Sequence, residues 1–156
     1  MGALERVCEA SIATSPGPRH VAFSHDGKTL CVIDELNATI TVYAYDPATG
    51  KIGQTVQRVS TEPPSYSGPH STAEIAVHSS GKFLYGSNRG AESIVGLLID
   101  AATGKLSVIG FVNQGVNFSR NFVIDRSGTW LYVANEKRAW TDARARRIYG
   151  AARLIS

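Results

Sequence analysis

Residues 20–35 read HVAFSHDGKTLCVIDE, and the same sixteen-residue pattern returns at 74–89 as EIAVHSSGKFLYGSNR and at 121–136 as NFVIDRSGTWLYVANE. In each copy a short apolar run of period two leads into a polar turn that closes at a glycine, which is Gly27, Gly81 or Gly128. A second apolar strand follows the turn. Glycine tolerates the left-handed backbone angles that tight turns demand, so the pattern predicts three β-hairpins.

A second repeated element lies downstream of the first two hairpins. DPATGK at 46–51 and DAATGK at 100–105 stand 54 residues apart, which is also the separation of the first two turn glycines. An aspartate at the start and a glycine near the end of a short polar segment are typical of a turn. This turn joins an alternating strand to a following strand. One complete unit therefore has four antiparallel strands, which is the composition of a β-propeller blade.

The repeat predicts an all-β fold, a partial β-propeller of about two and three-quarter four-stranded antiparallel blades with a non-propeller C-terminal tail. The tail is rich in alanine and arginine, which favour helix over strand. The predicted boundaries are a partial propeller over 1–136, with the outer strand of one blade at 3–15, blades at 18–62 and 72–115, the first hairpin of a further blade at 119–136, and the tail at 137–156.

Such an arc of blades is open, and an open arc leaves two apolar sheet faces and its strand edges in water. We therefore expect either marginal stability or association, with further blades or with copies of this chain. The repeat breaks off after Glu136, so the chain reads as an incomplete copy of a longer propeller.

Composition and charge exclude few functions. The chain has 43% hydrophobic and 19% charged residues and a net charge of +3, and no apolar run reaches the length of a membrane-spanning helix. We expect no membrane partner and a cytoplasmic location. The basic residues of the tail form no known nucleic-acid reader motif, so we also expect no nucleic-acid partner. Those basic residues are Lys137, Arg138, Arg144, Arg146, Arg147 and Arg153.

The two cysteines and the absence of several sequence motifs exclude some kinds of binding and catalytic site. Cys8 and Cys31 lie far apart without a C-x-x-C spacing, so we expect two buried thiols and neither a disulfide nor a zinc site. The sequence contains no G-x-S-x-G elbow, no phosphate-binding G-x-x-x-x-G-K motif, no H-E-x-x-H and no calcium loop. No metal is expected.

The open ends of the hairpins carry polar residues in all three copies. The residue seven before each turn glycine and the residue eight after it lie at this end, and in a propeller the first strands line one channel. A mouth with carboxylates, guanidinium groups and an imidazole can bind an anion and accept a proton. Polar residues at strand ends are also common, and an ion pair alone would explain some of them. The residues are Arg19, His20, Glu35, Glu74, Arg89, Arg120, Asn121 and Glu136.

The other three histidines are weaker candidates for this mouth. His25 and His78 lie in or beside the hairpin turns, at the opposite end of the strands, and we expect both to be solvated. His70 belongs to the loop before Glu74, from which it could reach the mouth, but we expect it too to be solvated.

Several phrases of this sequence together resemble one known family, the lactonase family of seven-bladed propellers. They are GPRH at 17–20, AFSHDGK at 22–28, DELNATITVYAYDPATGK at 34–51, STAEIAV at 71–77, LYGSNRG at 84–90 and SRNF at 119–122. The family includes propeller-type 6-phosphogluconolactonase and fungal 3-carboxy-cis,cis-muconate cyclase. The resemblance covers residues 6–136 and implies a cofactor-independent site at one end of the channel.

Carried over by position, the resemblance implies a set of site residues. Catalytic roles fall to His20, Glu35 and Glu74, and substrate-binding roles to Arg19, Arg89, Arg120 and Asn121. Ser119 departs from the family, which usually has proline there.

The implied substrate is a small anionic lactone or sugar acid, and the leading hypothesis is hydrolysis of a lactone such as 6-phosphogluconolactone. In that hypothesis Glu35 or His20 positions or deprotonates water while Arg19, Arg89 and Arg120 hold negative charge. The alternatives are a muconate-type lactonising cyclase, a non-catalytic binding propeller and a truncated product without activity.

Overall fold

The computed structural model describes residues 4–10, 17–136 and 151–153 of the chain, and these residues form three antiparallel sheets without a helix. The first sheet contains β1 (Pro18–Phe23), β2 (Thr29–Asp34), β3 (Thr39–Asp46) and β4 (Lys51–Ser60). The second contains β5 (Thr72–Val77), β6 (Phe83–Asn88), β7 (Ser93–Ile99) and β8 (Leu106–Val112). The third contains β9 (Ser119–Ile124), β10 (Trp130–Asn135) and β11 (Ala151–Arg153).

Each strand pairs with its neighbour in chain order, so every sheet is a meander. The first two sheets run β1-β2-β3-β4 and β5-β6-β7-β8, and the third runs β9-β10-β11. The predicted hairpins, four-stranded units and partial propeller are therefore confirmed.

The hairpin turns close at the predicted glycines. Gly27, Gly81 and Gly128 have φ values of 68°, 72° and 72°, in the left-handed region that favours glycine. Their backbone N–H groups donate to the carbonyls three residues earlier, at 2.9, 2.9 and 3.0 Å.

The open ends of the hairpins are closed in the same way in all three sheets. In each sheet, the last residue of the sixteen-residue repeat donates its backbone N–H to a backbone carbonyl. That carbonyl belongs to the residue three positions before the repeat begins. The bonds are Glu35 to Gly17 at 2.7 Å, Arg89 to Ser71 at 2.7 Å and Glu136 to Phe118 at 3.1 Å. The repeat thus fixes the backbone from which the predicted site residues project.

The core lies between successive sheets. One cluster of apolar side chains joins the first and second sheets, with Ile33, Ile40 and Leu84 fully buried. Another joins the second and third sheets and includes Tyr85 and Phe122. The inner strand β5 contacts both β1 and β9, so the three inner strands lie side by side.

Residues 4–10 and Ala151–Arg153 differ in secondary structure from the prediction. Residues 4–10 form no strand, although the sequence predicts an outer strand over 3–15. An outer strand pairs with the edge of its own blade, and none of the described strands offers residues 4–10 such an edge. Within the segment assigned to the tail, Ala151–Arg153 pair with β10 as strand β11. The open edge of β10 offers unpaired backbone groups to any extended segment. The rest of 137–156 lies outside the described residues.

Both cysteines are free thiols, as expected. Cys31 is buried in the core between the first two sheets, and this burial raises the pKa of its thiol to about 12. Cys8 is only half-buried, and its Sγ donates to the carbonyl of Gly50 at 3.4 Å.

None of the described residues belongs to a helix long and apolar enough to cross a membrane.

Candidate functional site at the strand ends

The structure brings the predicted site residues of three blades together. Arg19 and His20 lie on β1, Glu74 on β5, and Arg120 and Asn121 on β9. Because these inner strands are neighbours and begin at the same end, their first side chains meet. Glu35, Arg89 and Glu136 follow β2, β6 and β10 and lie at this end as well.

His20 and Glu74 form a hydrogen-bonded pair across the first two blades. Nδ1 of His20 lies 2.9 Å from Oε1 of Glu74, and Nε2 lies 3.3 Å from Nη1 of Arg19. A guanidinium group only donates hydrogen bonds, so Nε2 is the acceptor and Nδ1 carries the proton given to Glu74. This tautomer directs a lone pair away from the carboxylate, and a general base needs such a lone pair.

Glu74 is held from several directions. Its Oε1 also accepts from the backbone N–H of Ile75 at 3.1 Å, and its other oxygen accepts from Nδ2 of Asn121. The backbone N–H of Glu74 donates to Oγ of Ser87 at 2.9 Å. The carboxylate therefore links residues of three blades, and its side chain is 15% exposed.

Glu35 lies between two guanidinium groups. Oε2 is 3.5 Å from Nε of Arg19, and Oε1 accepts a hydrogen bond from Nη2 of Arg89. Arg19 is further fixed because its Nη1 donates to the carbonyl of Ala73 at 2.8 Å. Both oxygens of Glu35 thus face cations, an arrangement that favours an anchor for the arginines over the proton acceptor expected from the sequence.

Phe118 is a site residue that sequence reasoning missed. Its ring lies over the guanidinium of Arg89, with 5.2 Å between Cζ and the ring centroid. The Arg89 side chain is 10% exposed, so a cation–π contact partly replaces lost water. Phe118 has a φ of 49°, whereas the first copy has Gly17 at this position with a φ of 66°. The sequence gives no clear signal for this contact, because the three copies have Gly17, Ser71 and Phe118 at this position.

An open cleft of about 530 Å³ borders this cluster. Arg120 lies at its edge and pairs with Glu136 at 3.1 Å, with side chains 61% and 42% exposed. Arg19 and Arg120 give the cleft two guanidinium groups, which suit a carboxylate or phosphate. Glu35, Glu74 and Arg89 do not line the cleft. Glu35 contacts Arg19, Glu74 contacts His20 and Asn121, and Arg89 contacts Glu35. The lining residues are Arg19, His20, Arg120, Asn121, Ala134, Asn135 and Glu136.

Of the three histidines expected to be solvated, His25 and His70 are exposed, whereas His78 is half-buried. His25 is exposed beside the first turn. His78 instead bridges two blades, with Nε2 2.8 Å from the carbonyl of Gly128 and Nδ1 2.8 Å from Oγ of Ser80. His70 pairs through Nδ1 with the buried carboxylate of Glu62 at 2.7 Å. A nearby carbonyl and a buried carboxylate are partners that the sequence pattern does not reveal.

Within the described ranges no three or more histidine, cysteine, aspartate or glutamate side chains are grouped as a metal site would require.

Comparison with known families gives a match over most of the chain. The family model described as lactonase, 7-bladed beta-propeller, matches residues 1–142.

Individual relatives agree with that match. The chain is 35% identical over 135 residues to a 6-phosphogluconolactonase of Formosa agariphila, covering 85% of this chain and 37% of that protein. It is 31% identical over 136 residues to the 6-phosphogluconolactonase of Bacillus subtilis, covering 87% of this chain and 39% of the relative. The chain thus spans well under half the length of these relatives.

Among solved structures, the periplasmic gluconolactonase of Pseudomonas aeruginosa superposes with a TM-score of 0.72 at 27% identity. The superposition covers 78% of this chain and 33% of that structure.

Proposed function

The chain belongs to the lactonase family of seven-bladed β-propellers, and from this premise we propose that its strand-end cluster hydrolyses a sugar-acid lactone such as 6-phosphogluconolactone. The single observation that carries the proposal is the hydrogen-bonded chain from Arg19 through His20 and Glu74 to Asn121 beside an open cleft. It combines a base, a group that orients the base, and cations for an anionic substrate. The names of the Formosa and Bacillus relatives support the choice of substrate.

Binding starts with the two arginines of the cleft. Arg19 and Arg120 take the phosphate or carboxylate of the substrate in charge-assisted hydrogen bonds. The contact of Nη1 of Arg19 with Nε2 of His20 is a long 3.3 Å, so a water molecule replaces it as the partner of the Nε2 lone pair while Arg19 stays bonded to Glu35 and Ala73. Glu35 keeps Arg19 and Arg89 in place during this exchange.

Hydrolysis follows as a general-base reaction. Water attacks the lactone carbonyl carbon while its proton passes to Nε2 of His20, and the Glu74 carboxylate stabilises the imidazolium at Nδ1. The guanidinium of Arg120 stabilises the oxyanion. The ring C–O bond then breaks, and the imidazolium returns the proton to the leaving ring oxygen, which gives the open hydroxy acid.

The test is a kinetic comparison of two histidine variants. The rate of 6-phosphogluconolactone opening is measured above the spontaneous rate for the wild type, His20→Asn and His25→Asn. We expect the wild type to accelerate opening, His20→Asn to lose most of the acceleration, and His25→Asn to keep it, because His25 lies at the opposite end of the strands. A wild type no faster than buffer, or a fully active His20→Asn, removes the proposal.

The cytoplasmic location expected from the sequence stays a prediction, since the relative from Pseudomonas aeruginosa is periplasmic. Fractionation of the producing cells tests it.

A further inference from the structure

The ring of Phe118 is connected to Arg19 through two intervening side chains. The ring lies over the guanidinium of Arg89, with 5.2 Å between its centroid and Cζ. Nη2 of Arg89 donates to Oε1 of Glu35, and Oε2 of Glu35 lies 3.5 Å from Nε of Arg19. These four side chains, called here the Phe118–Arg19 row, come from three blades. Of the four, only Arg19 lines the cleft.

Arg89 is buried and only partly hydrogen-bonded, so the aromatic ring matters for its position. Its side chain is 10% exposed, and its Nε has no hydrogen-bond partner among the described residues. A guanidinium group taken out of water is held by its remaining contacts, and two of these are the carboxylate of Glu35 and the π face of Phe118. Without the ring, Arg89 has more freedom to move, and Glu35 loses a fixed partner.

The backbone at Phe118 is strained, and this strain is an independent reason to ask what the ring does. Its φ of 49° lies in the left-handed region, which aromatic residues rarely adopt. The equivalent residue of the first copy is Gly17, with a φ of 66°. Both carbonyls accept the N–H that closes the hairpin, which for Phe118 comes from Glu136 at 3.1 Å. The third blade therefore has the backbone shape of the first and adds a ring to it.

We propose that Phe118 is a positioning residue, which sets the affinity of the cleft for the anionic group of the substrate by fixing Arg19. This inference rests on the proposed function, in which Arg19 binds that anionic group. A guanidinium that moves freely must be ordered again when the anion binds, and this ordering weakens binding. The hydrogen bond that orients His20 does not pass through the Phe118–Arg19 row, so the chemical step keeps its rate.

Two lactones and three variants test this role in steady-state kinetics. The substrates are 6-phosphogluconolactone and gluconolactone, which lacks the phosphate. For Phe118→Leu we expect KM for the phosphorylated lactone to rise about fivefold, while its kcat and the KM for gluconolactone stay unchanged. Phe118→Tyr keeps a ring and the wild-type KM. The matched control is Phe23→Leu, because the ring of Phe23 contacts Tyr45 at 4.8 Å, at the other end of β1.

A further variant, Phe118→Gly, separates the ring from the backbone. Glycine adopts the left-handed conformation without strain, as Gly17 does in the first copy, so this variant removes the ring and leaves the fold intact. We expect it to raise KM for the phosphorylated lactone as much as Phe118→Leu does. A wild-type KM in Phe118→Gly, equal changes of KM for both lactones, or a KM in Phe118→Tyr as high as in Phe118→Leu overturns the proposal.

The Nε–H group of Arg19 gives a readout that needs no turnover. Its exchange with water is measured by NMR in the wild type and in each variant, without substrate. We expect faster exchange in Phe118→Leu and Phe118→Gly and the wild-type rate in Phe118→Tyr and Phe23→Leu. A wild type that does not open lactones removes the proposed function, and the exchange rates then decide alone. Faster exchange in the two variants without a ring supports the positioning of Arg19, and an unchanged rate overturns it.

Discussion

The imidazole of His20 and the carboxylate of Glu74 lie 2.9 Å apart between Nδ1 and Oε1, although 54 residues separate them in the chain. The contact exists because β1 and β5 are inner strands of neighbouring blades and start at the same end. A second bond from Asn121 to Glu74 extends the contact to β9. The repeat thus brings His20, Glu74 and Asn121, which lie far apart in the sequence, into one hydrogen-bonded group.

The role of Glu74 as the group that orients His20 predicts the behaviour of Glu74→Gln. A neutral amide does not stabilise the imidazolium at Nδ1, so we expect kcat for lactone opening to fall about 100-fold, within the range of general-base effects. KM stays nearly unchanged because Arg19 and Arg120 still bind the anion. Steady-state kinetics with a lactone substrate provide both constants.

The matched control for this variant is Glu9→Gln. Glu9 is exposed and pairs with Arg6, outside the strand-end cluster, so its variant keeps the wild-type kcat. An unchanged kcat in Glu74→Gln shows that Glu74 does not act through His20.

Glu35 and Glu136 occupy equivalent positions in the repeat, but their ion pairs differ in burial. We therefore expect replacement by glutamine to lower the free energy of unfolding by different amounts at the two positions. Glu35 pairs with Arg89, whose side chain is 10% exposed, so Glu35→Gln lowers the free energy of unfolding by about 2 kcal/mol. Glu136 pairs with Arg120 in an exposed geometry, and Glu136→Gln costs about 0.5 kcal/mol or less. Urea unfolding at constant pH measures both losses. Equal losses contradict the buried role of Arg89.

The turn glycines predict a second matched pair, Gly27→Ala and Gly128→Ala. Both residues have nearly the same positive φ, so alanine costs about 1 kcal/mol of backbone strain at each. At Gly128 the added methyl group also displaces His78 from its bond to the Gly128 carbonyl, which brings the loss to about 2 kcal/mol. Urea midpoints that are equal for the two variants are evidence against this contact between blades.

The Asp100 turn predicts a pH-dependent contribution to stability. Hydrogen bonds from the hydroxyl and backbone N–H of Thr103 lower the pKa of the Asp100 carboxyl. A lowered pKa stabilises the fold above the ordinary value of about 3.9, and this contribution disappears as pH falls through the folded-state pKa. Asp100→Asn therefore destabilises the chain more at about pH 6 than at about pH 3. Urea unfolding at both pH values tests this, and an equal effect at both refutes it.

The hairpins and their shared open end followed from the sequence because both depend on short-range signals. Period-two apolar runs and turn glycines fix strands and turns, and the repetition fixes which residues lie at one end. The convergence of His20, Glu74 and Asn121 was predictable on that basis.

Contacts specific to one junction were not predictable. The stacking of Phe118 on Arg89 depends on a position that holds glycine in the first copy, serine in the second and an aromatic side chain only in the third. The bond from His78 to Gly128 depends on how closely two blades approach, and β11 depends on an open edge at β10. None of these contacts repeats along the chain, so periodicity gave no sign of them.

The claim that three strand ends form one anion-binding site is tested most directly by titrating the isotope-labelled chain with 6-phosphogluconate and following its backbone amides by NMR. The account predicts that the largest shifts occur at residues 19–20, 74, 120–121 and 134–136 and that the turns at 25–27, 79–81 and 126–128 remain unchanged. Shifts that concentrate at those turns, or no saturable shifts at all, would contradict it.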